Sequence, residues 1–542
     1  MPIYQAGSLN TAALSAPDLY VQIVPPRTRY INGVPTDGLG LVGVASWGPV
    51  NRPFRITSDT DMAFFLGAPQ NRRYDLATAV AVSLQTGAAN LNCVRVTNGS
   101  EKAACGEFSH KKTKKKLCLT ALYSGTRGNL IKAGLSKGAA AKSIKLTISL
   151  PGVIAEVFDN LSTEVPDICA VIADAVNHGQ HAFRGPSQII LAGVEADEST
   201  TASEAAVIVD HFTRNEIAFA GGNDGIDQCT VKIVDKDKKT VEKVLGPITD
   251  SQVVGEDSAE GLRSGMYALR STGSQVINLI DVSTAEHWPA MTAFSQSEGA
   301  FMITQGAEST DFRALSDALN KSGVDDWHFK LLIGDWPYWK DTTNGINRLV
   351  APATFEAANI AARSPHISTL NKRIPGIIAT QRQLDRRIYT GTEIGLINAA
   401  RLDVITNPCP GGNYFGMRSG RNCSSNPTQN DDTYTRMTNF LSLTIAASFG
   451  SVVGDNQTVD LRRETKSTLE SFLSNLETLK MIGNPNGGPA FAVRLDETNN
   501  PDSRVALGYM TADIQVKYLN VVRFFLVNLE GGGSVSISVS NH

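Results

Sequence analysis

The sequence predicts a protein of α/β and α+β class: a discontinuous α/β core with an inserted β-rich domain, a C-terminal α+β domain, and extended N- and C-terminal β-strand arms. Three observations favour this class. A length of 542 residues exceeds one ordinary domain, helical and strand patterns alternate over 261–378, and each end carries a strand pattern without a hairpin partner. We expect an N-terminal linking arm at 1–26, the core at 27–99 and 241–380, the inserted outer surface domain at 100–240, the C-terminal domain at 381–530, and a C-terminal linking arm at 531–542.

Composition limits the function. Hydrophobic residues make up 42% of the chain, and 50 basic against 53 acidic residues give a formal charge of −3, so no overall basic field favours nucleic acid or anionic membranes. The first basic residue is Arg27 and no apolar run is long enough to span a bilayer, so we expect a soluble protein made in a cytoplasm. Seven cysteines without a C-x-x-C pair favour reduced thiols, although Cys409 and Cys423 leave open a disulfide within or between subunits.

The first arm contains a strand-like run at 18–24 that two prolines end. The stretch after this arm allows two interpretations. Gly38, Gly40 and Gly43 have the G-x-G-x-x-G spacing of a dinucleotide site, with Asp59 and Asp61 downstream where a ribose-binding acid would stand. That motif needs a helix to open after the glycines, whereas a turn precedes them here and strand residues and a Gly-Pro pair follow. We therefore predict a strand, and keep a nucleotide-dependent α/β enzyme as an alternative.

The core and the insertion follow in order. Asp75 and Gly87 are expected to begin and end a helix, followed by a buried strand at 92–97, and further strands at 276–280 and 329–333 flank a helix at 311–319. Within the insertion, residues 146–150 predict a strand. The run at 111–116 (KKTKKK) fits a solvated edge better than a nucleic-acid site because no aromatic residues interleave, and the loop at 221–225 (GGNDG) is read as a structural turn rather than a phosphate or calcium site.

The last third predicts an amphipathic helix with Leu469, Phe472, Leu473 and Leu476 on one face, and Ser467 and Glu470 as a possible capping box. Alternating strands are expected at 514–518 and around 524–526. A triple-glycine hinge then leads to a strictly alternating strand at 534–540. Such lone strands must pair, either with an edge of their own domain or with a neighbouring copy.

Catalytic motifs are lacking: the sequence has neither H-E-x-x-H nor G-x-S-x-G, and His287 beside a Trp-Pro pair fits packing or capping. We expect no enzyme activity, no cofactor and no metal.

The order of several motifs resembles the tail sheath proteins of contractile bacteriophages and related injection machines. The motifs are at 16–21 (APDLYV), 41–58 (LVGVASWGPVNRPFRITS), 61–67 (DMAFFLG), 124–129 (SGTRGN), 220–225 (AGGNDG), 393–398 (EIGLIN), 414–418 (YFGMR) and 499–501 (NNP). The resemblance implies subunits that stack as six-membered rings around an inner tail tube, and a sheath that contracts to drive the tube through the host envelope.

The same resemblance assigns surfaces and partners, and it implies that the C-terminal domain at 381–530 is the inner domain that faces the tube. The implied partners are other copies of the chain, the tail tube protein, the baseplate, and the tail terminator or neck proteins, with no direct contact to nucleic acid and no membrane insertion. It implies a place in the virion tail after assembly in the host bacterial cytoplasm. The expected arm contacts are Leu19, Tyr20, Val21, Gln22, Ile23, Ser534, Val535, Ser536, Ile537, Ser538 and Val539, and Arg462, Arg463, Lys466 and Lys480 are candidates to face the tube. Solvated charge is the alternative for the last four, and a non-contractile virion protein is the alternative for the whole chain.

Overall fold

The computed structural model describes residues 3–6, 20–23, 31–109, 116–165, 167–180, 184–195, 215–234, 240–258 and 262–527. The chain divides into two compact units, a larger one at Pro35–Phe440 and a smaller one that combines Met1–Val34 with Leu441–His542. The predicted strand at 534–540, residue Leu19 and positions 111–115 of the basic run lie outside the described residues.

The described residues form 24 strands and 12 α-helices. The strands are β1 Ile3–Ala6, β2 Tyr20–Ile23, β3 Gly38–Gly43, β4 Pro53–Ile56, β5 Asn90–Arg95, β6 Ala103–Ser109, β7 Lys116–Ser124, β8 Lys132–Lys137, β9 Ser143–Ser149, β10 Glu156–Ser162, β11 Ile190–Glu195, β12 Glu216–Ala218, β13 Cys229–Val234, β14 Thr240–Leu245, β15 Val276–Leu279, β16 Phe301–Gln305, β17 Phe329–Leu332, β18 Pro337–Asp341, β19 Ile346–Leu349, β20 Ile377–Thr380, β21 Ile405–Thr406, β22 Gly416–Met417, β23 Phe491–Arg494 and β24 Asp513–Val516. The helices are α1 Asp59–Phe65, α2 Leu76–Thr86, α3 Ile168–His178, α4 Asp250–Val254, α5 Trp288–Glu298, α6 Phe312–Ser322, α7 Pro352–Ala361, α8 Gln381–Leu384, α9 Gly391–Ala399, α10 Asp432–Phe449, α11 Val459–Thr478 and α12 Asp502–Val505.

A six-stranded sheet organises the larger unit, in the order β17-β16-β15-β3-β5-β4. All neighbouring strands are parallel except β4, which runs antiparallel to β5. Strands β3 to β5 come from one segment of the chain and β15 to β17 from another, so the sheet is discontinuous in sequence. Every residue of α7 is buried, which is typical of a helix packed inside an α/β unit.

Local signals place α2 where the sequence predicts it. The Asp75 side chain accepts a hydrogen bond from the Thr78 backbone N–H, and Gly87 ends the helix in the left-handed conformation. The predicted strands and helix around β5, β15, α6 and β17 are present with boundaries that differ by at most three residues.

The chain between β5 and β15 builds further sheets of the larger unit, with the strand orders β10-β9-β8-β12 and β11-β7-β6. Helix α3 contacts β10 and β11. Phe108, Leu119, Leu146, Phe158 and Ile172 form part of a separate hydrophobic cluster there. The strand expected at 146–150 is present as β9.

Residues 381–440 belong to the larger unit, although the sequence boundary at 381 groups them with the C-terminal domain. Ile405, Phe415 and Met417 are buried in the same hydrophobic cluster as the central sheet. The two strands in this segment are only two residues long, so the alternation that reveals a longer strand is missing from the sequence.

In the smaller unit, α11 begins earlier than predicted. The Thr458 side chain caps it by accepting from the Leu461 backbone N–H, so Ser467 and Glu470 lie inside the helix and the capping box is wrong. Leu469, Phe472, Leu473 and Leu476 are buried, as the pattern predicts.

The prediction of a strand around residues 524–526 is also wrong. Strands β23 and β24 form an antiparallel pair, but residues 517–527 have no regular structure. No strand of the described residues pairs with this segment, so its apolar and aromatic residues have no ladder to join.

Candidate assembly surfaces

The three glycines of the G-x-G-x-x-G spacing lie in β3 at the centre of the sheet, which confirms the strand prediction. A Cβ added at Gly38 would lie 2.6 Å from the Gly273 carbonyl oxygen, and one added at Gly43 would lie 2.5 Å from the Tyr74 carbonyl oxygen. At Gly40 it would lie 2.8 Å from a Leu269 methyl carbon. These glycines permit close packing of the chain against itself rather than the approach of a cofactor.

The place where an α/β sheet usually binds nucleotides is filled by protein. The strand order reverses between β3 and β15, and α2 begins beside it, with the Leu76 N–H donating to the Val44 carbonyl oxygen at 2.8 Å. The Asp75 carboxylate occupies the start of α2 and accepts from the Gln70 backbone N–H at 2.9 Å and from Arg72 Nε at 3.0 Å. The cavity at this place, whose lining includes Asp75, Asp281 and Arg348, has about 20 Å³. Ligand pockets usually have roughly 300–1,000 Å³, so a dinucleotide does not fit.

The loop at 221–225 and the turn at 124–129 lie in contact, and the polar groups of each form hydrogen bonds with the other. One oxygen of the Asp224 carboxylate accepts from the Thr126 backbone N–H at 2.6 Å, and the other accepts from Arg72 Nη1 at 2.6 Å. Asn129 and Gly222 exchange two hydrogen bonds of 2.8 and 3.1 Å. The loop is therefore a structural turn, as predicted, and its polar groups hold two segments of the larger unit together.

Arg95, the last residue of β5, adds a buried cation to this junction. Its guanidinium donates to the carbonyl oxygens of Gly48 at 2.9 Å and Ser124 at 2.6 Å. Burial lowers the pKa of Arg95 to about 10, and the nearby Asp224 carboxylate opposes that shift. The sequence reading missed this residue, although an arginine within the apolar stretch NCVRVT was a visible signal.

A second buried charge network, absent from the sequence reading, surrounds Lys330 on β17. Lys330 Nζ lies 2.5 Å from Glu356 Oε1 and 3.0 Å from Asp403 Oδ2, and all three side chains are completely inaccessible to solvent. Burial alone would lower the pKa of Lys330, but the neighbouring carboxylates, Glu356 first, outweigh it and raise that pKa. Burial also raises the pKa of Glu356.

Backbone groups complete the network. Asp403 accepts from the N–H groups of Ser419 and Gly420, both at 2.8 Å, and Asp432 at the start of α10 accepts from the Thr369 N–H at 2.9 Å. The ions therefore join the edge strand β17 to α7, to the segment around residue 369 and to residues 403–432. Such a network fixes one arrangement of segments that lack long strands of their own.

The four candidate tube-facing residues lie outside the buried stripe of α11. Arg463 forms a weak, highly exposed ion pair with Asp460 at 3.8 Å, and Lys466 forms one with Glu470 at 3.9 Å. Arg462 is partly buried, and Lys480 is exposed just beyond the helix. Exposed pairs of this kind contribute little to stability, so these cations remain available for a partner.

The N-terminal arm residues Tyr20, Val21, Gln22 and Ile23 form β2, which pairs in parallel with β1 of the same chain. A two-stranded pair is at best marginally stable by itself. The C-terminal arm residues Ser534, Val535, Ser536, Ile537, Ser538 and Val539 lie outside the described residues.

The smaller unit also exposes a large apolar segment. Residues 522–527 include Phe524 and Leu526, whose side chains are 86% and 87% exposed, and Val522, Phe525 and Val527 are exposed as well. The nearby β23–β24 pair has only four residues per strand, and among the described strands neither outer edge has a further partner. Contiguous exposed apolar residues and open strand edges are features of surfaces that bind another chain.

The described part of the chain has neither a helix that could cross a membrane nor a cluster of metal-ligating side chains. None of its helices combines the length and apolarity needed to cross a bilayer, and no group of three His, Cys, Asp or Glu side chains there is arranged to hold a metal ion. All seven cysteines are free thiols, including Cys409 and Cys423, so those two form no disulfide within this chain.

Comparison with known proteins gives a match in structure but not in sequence. No protein-family model and no curated protein matches the chain. The sheath tail protein DSY3957 from Desulfitobacterium hafniense matches with a TM-score of 0.53 and 13% identity, over 88% of this chain and 93% of that one. The sheath tail protein Lin1278 from Listeria innocua matches with a TM-score of 0.55 and 13% identity, over 87% and 90%. The chain has the fold of a sheath tail protein. The sheath of an extracellular contractile injection system in its contracted state is a more distant match, with a TM-score of 0.49 and 10% identity over 96% of this chain and 99% of that one.

The sheath fold bears out the resemblance drawn from the motifs and the mixed α/β class. At 13% identity the agreement concerns the fold alone. The assembly surfaces of this chain must therefore be inferred from its own residues.

Proposed function

We propose that the protein is a structural, non-enzymatic subunit of a contractile tail sheath, which polymerises as stacked rings around the inner tail tube. Its contraction would drive the tube through the host cell envelope for genome delivery. The observation that carries the proposal is the sheath fold combined with an uncovered apolar segment at 522–527 that precedes the C-terminal arm. A protein that works as a monomer has little reason to expose two phenylalanines side by side.

The arms are the proposed links between subunits. Neither outer edge of the β23–β24 pair has a partner among the described strands, and an arm strand from a neighbouring copy would extend the pair by β-augmentation. With about 1 kcal/mol per backbone hydrogen bond, a six-residue arm contributes only a few kcal/mol to each joint. Repeated through a lattice, such joints would keep subunits connected while their bodies move, and the three consecutive glycines at 531–533 are the proposed hinge.

The remaining partners follow from this role. The cations Arg462, Arg463, Lys466 and Lys480, of which Arg463 and Lys480 are the most exposed, are proposed to face an acidic surface of the tail tube. The ends of the sheath would meet the baseplate and the tail terminator or neck proteins, in the virion tail. Contraction would draw on a better-packed final state rather than on a nucleotide, in keeping with the filled crevice at the sheet reversal.

Negative-stain electron microscopy of the purified protein tests the proposal. We expect helical tubes for the full chain, and folded but unassembled protein after removal of residues 534–542. A matched control replaces the same nine residues with a Gly/Ser segment of equal length, which keeps the length but removes the alternating pattern, and it should also fail to assemble. Tubes formed normally by the truncated chain would contradict the arm exchange. Tubes that never adopt a shorter, wider state would favour a non-contractile virion protein.

A further inference from the structure

One surface of the larger unit is apolar and basic. Leu384, Ile388 and Leu396 are 58%, 62% and 45% exposed, and Arg386 and Arg387 beside them are exposed too. We call these five residues the aliphatic–arginine face. Asp385 is also exposed there, so two guanidinium groups against one carboxylate leave a formal charge of +1.

A rigid frame holds this face in place. The Arg382 guanidinium lies 2.5 Å from Glu393 and stacks over the Tyr389 ring at 4.1 Å, and the Tyr389 hydroxyl donates to Asp335 at 3.0 Å. Thr390 and Glu393 form a capping box at the start of α9. The aliphatic side chains therefore point outward from fixed backbone, which lowers the entropy that a partner must remove on binding.

The smaller unit has a surface of complementary character. Leu507 and Tyr509 are exposed, and so are Asp496, Glu497 and Asp502, which precede them within 13 residues of the sequence. We call these five residues the acidic–apolar face. Arg504 is the nearby cation, so three carboxylates against one guanidinium give a formal charge of −2, while the ion pair of Arg494 with Asp513 adds no net charge.

We propose that the aliphatic–arginine face of one copy binds the acidic–apolar face of a neighbouring copy. Each face combines apolar side chains with charges, and opposite charges in that position select the partner and its register. Because the two faces differ, the contact is heterologous, and repetition of a heterologous contact that does not close produces an open polymer. The inference rests on the proposed sheath function and adds a contact between subunit bodies to the contact made by the arms.

Two charge-reversed variants test this contact. One carries Arg386→Glu and Arg387→Glu, and the other carries Asp496→Lys and Glu497→Lys. Each variant alone opposes like charges, whereas an equal mixture restores opposite charges at every contact because each variant then pairs with the other. We expect each variant alone to need roughly tenfold more protein for half-maximal assembly in sedimentation, and the mixture to assemble like the wild type.

A matched control carries Lys321→Glu and Lys340→Glu, two exposed cations elsewhere on the larger unit, and should assemble like the wild type. A second variant, Leu384→Ser with Ile388→Ser, removes the apolar part without changing charge and should weaken assembly as well. Circular dichroism confirms that each variant is folded. Wild-type tubes accompanied by normal assembly of each charge variant alone would overturn this contact and leave the sheath function standing. A wild-type chain that does not self-associate would overturn both.

Discussion

Replacement of Lys330 by Met tests whether the buried ion network holds the larger unit together. The substitution keeps most of the side-chain volume but leaves Glu356 and Asp403, both completely buried, without their shared cation. Removal of one partner from a buried pair costs about 3–5 kcal/mol, chiefly because the remaining charge stays desolvated. Asp403 keeps its hydrogen bonds from Ser419 and Gly420, and Glu356 keeps those from Thr369 and Asn359, but both carboxylates lose the buried ammonium group, so we expect a value within that range.

Denaturant unfolding monitored by tryptophan fluorescence measures the effect. All five tryptophans lie between Trp47 and Trp339 in the larger unit, and the Trp327 ring packs at 5.5 Å against Tyr434 close to the network. Lys340→Met is the matched control, because Lys340 is exposed and its replacement should change stability by no more than about 0.5 kcal/mol.

A double variant separates the desolvated charge from the lost packing. Lys330→Met combined with Glu356→Gln removes one orphaned carboxylate, so it should recover part of the stability that Lys330→Met loses. If Lys330→Met unfolds at the same denaturant concentration as Lys340→Met, the network does not stabilise the fold and the reasoning is refuted.

Two further predictions concern the sheet. Gly43→Ala should destabilise the protein by about 1–3 kcal/mol, because the new methyl group clashes with the Tyr74 carbonyl oxygen. Gly193→Ala is the control and should be nearly neutral, because the space around Gly193 is open. Thermal unfolding of both variants measures the difference. Burial raises the pKa of Asp281 to about 6, so its contribution to stability is present below the unfolded pKa of 3.8 and is lost as the pH rises through about 6. Because Asp281 retains some exposure, we expect wild type to lose about 1–2 kcal/mol relative to Asp281→Asn between pH 4 and pH 7, and parallel pH profiles for the two proteins would contradict this.

Signals confined to a few neighbouring residues were readable from the sequence. Asp75 and Gly87 mark the start and the end of α2. An N-cap side chain and a C-cap glycine in the left-handed conformation both act through neighbouring backbone groups, so a short sequence is enough to predict them. The residues that flank the glycines of β3 were enough to show that these glycines do not form a dinucleotide-binding motif. What a Cβ would meet at Gly43, however, depends on Tyr74, which a sequence pattern does not place beside it.

Long-range contacts account for what the sequence reading missed. Lys330 lies in the short strand FKLL, where a lysine looks like an ordinary surface residue, and its partners Glu356 and Asp403 stand 26 and 73 positions further along the chain. Ser467 and Glu470 satisfy the spacing of a capping box equally well inside a helix as at its start, so only the structure shows that α11 begins after Thr458.

The wrong strand prediction around residues 524–526 has a physical consequence for assembly. Alternation of apolar and polar residues indicates which segments are suited to a sheet, but a strand exists only where a ladder supplies its hydrogen bonds. Residues 517–527 have no ladder among the described strands, and Phe524 and Leu526 are left almost fully exposed. An exposed apolar segment that joins none of the described strands, and that three glycines follow in the sequence, is suited to pairing between copies. The mismatch between pattern and structure is therefore a reason to propose that this segment pairs between copies.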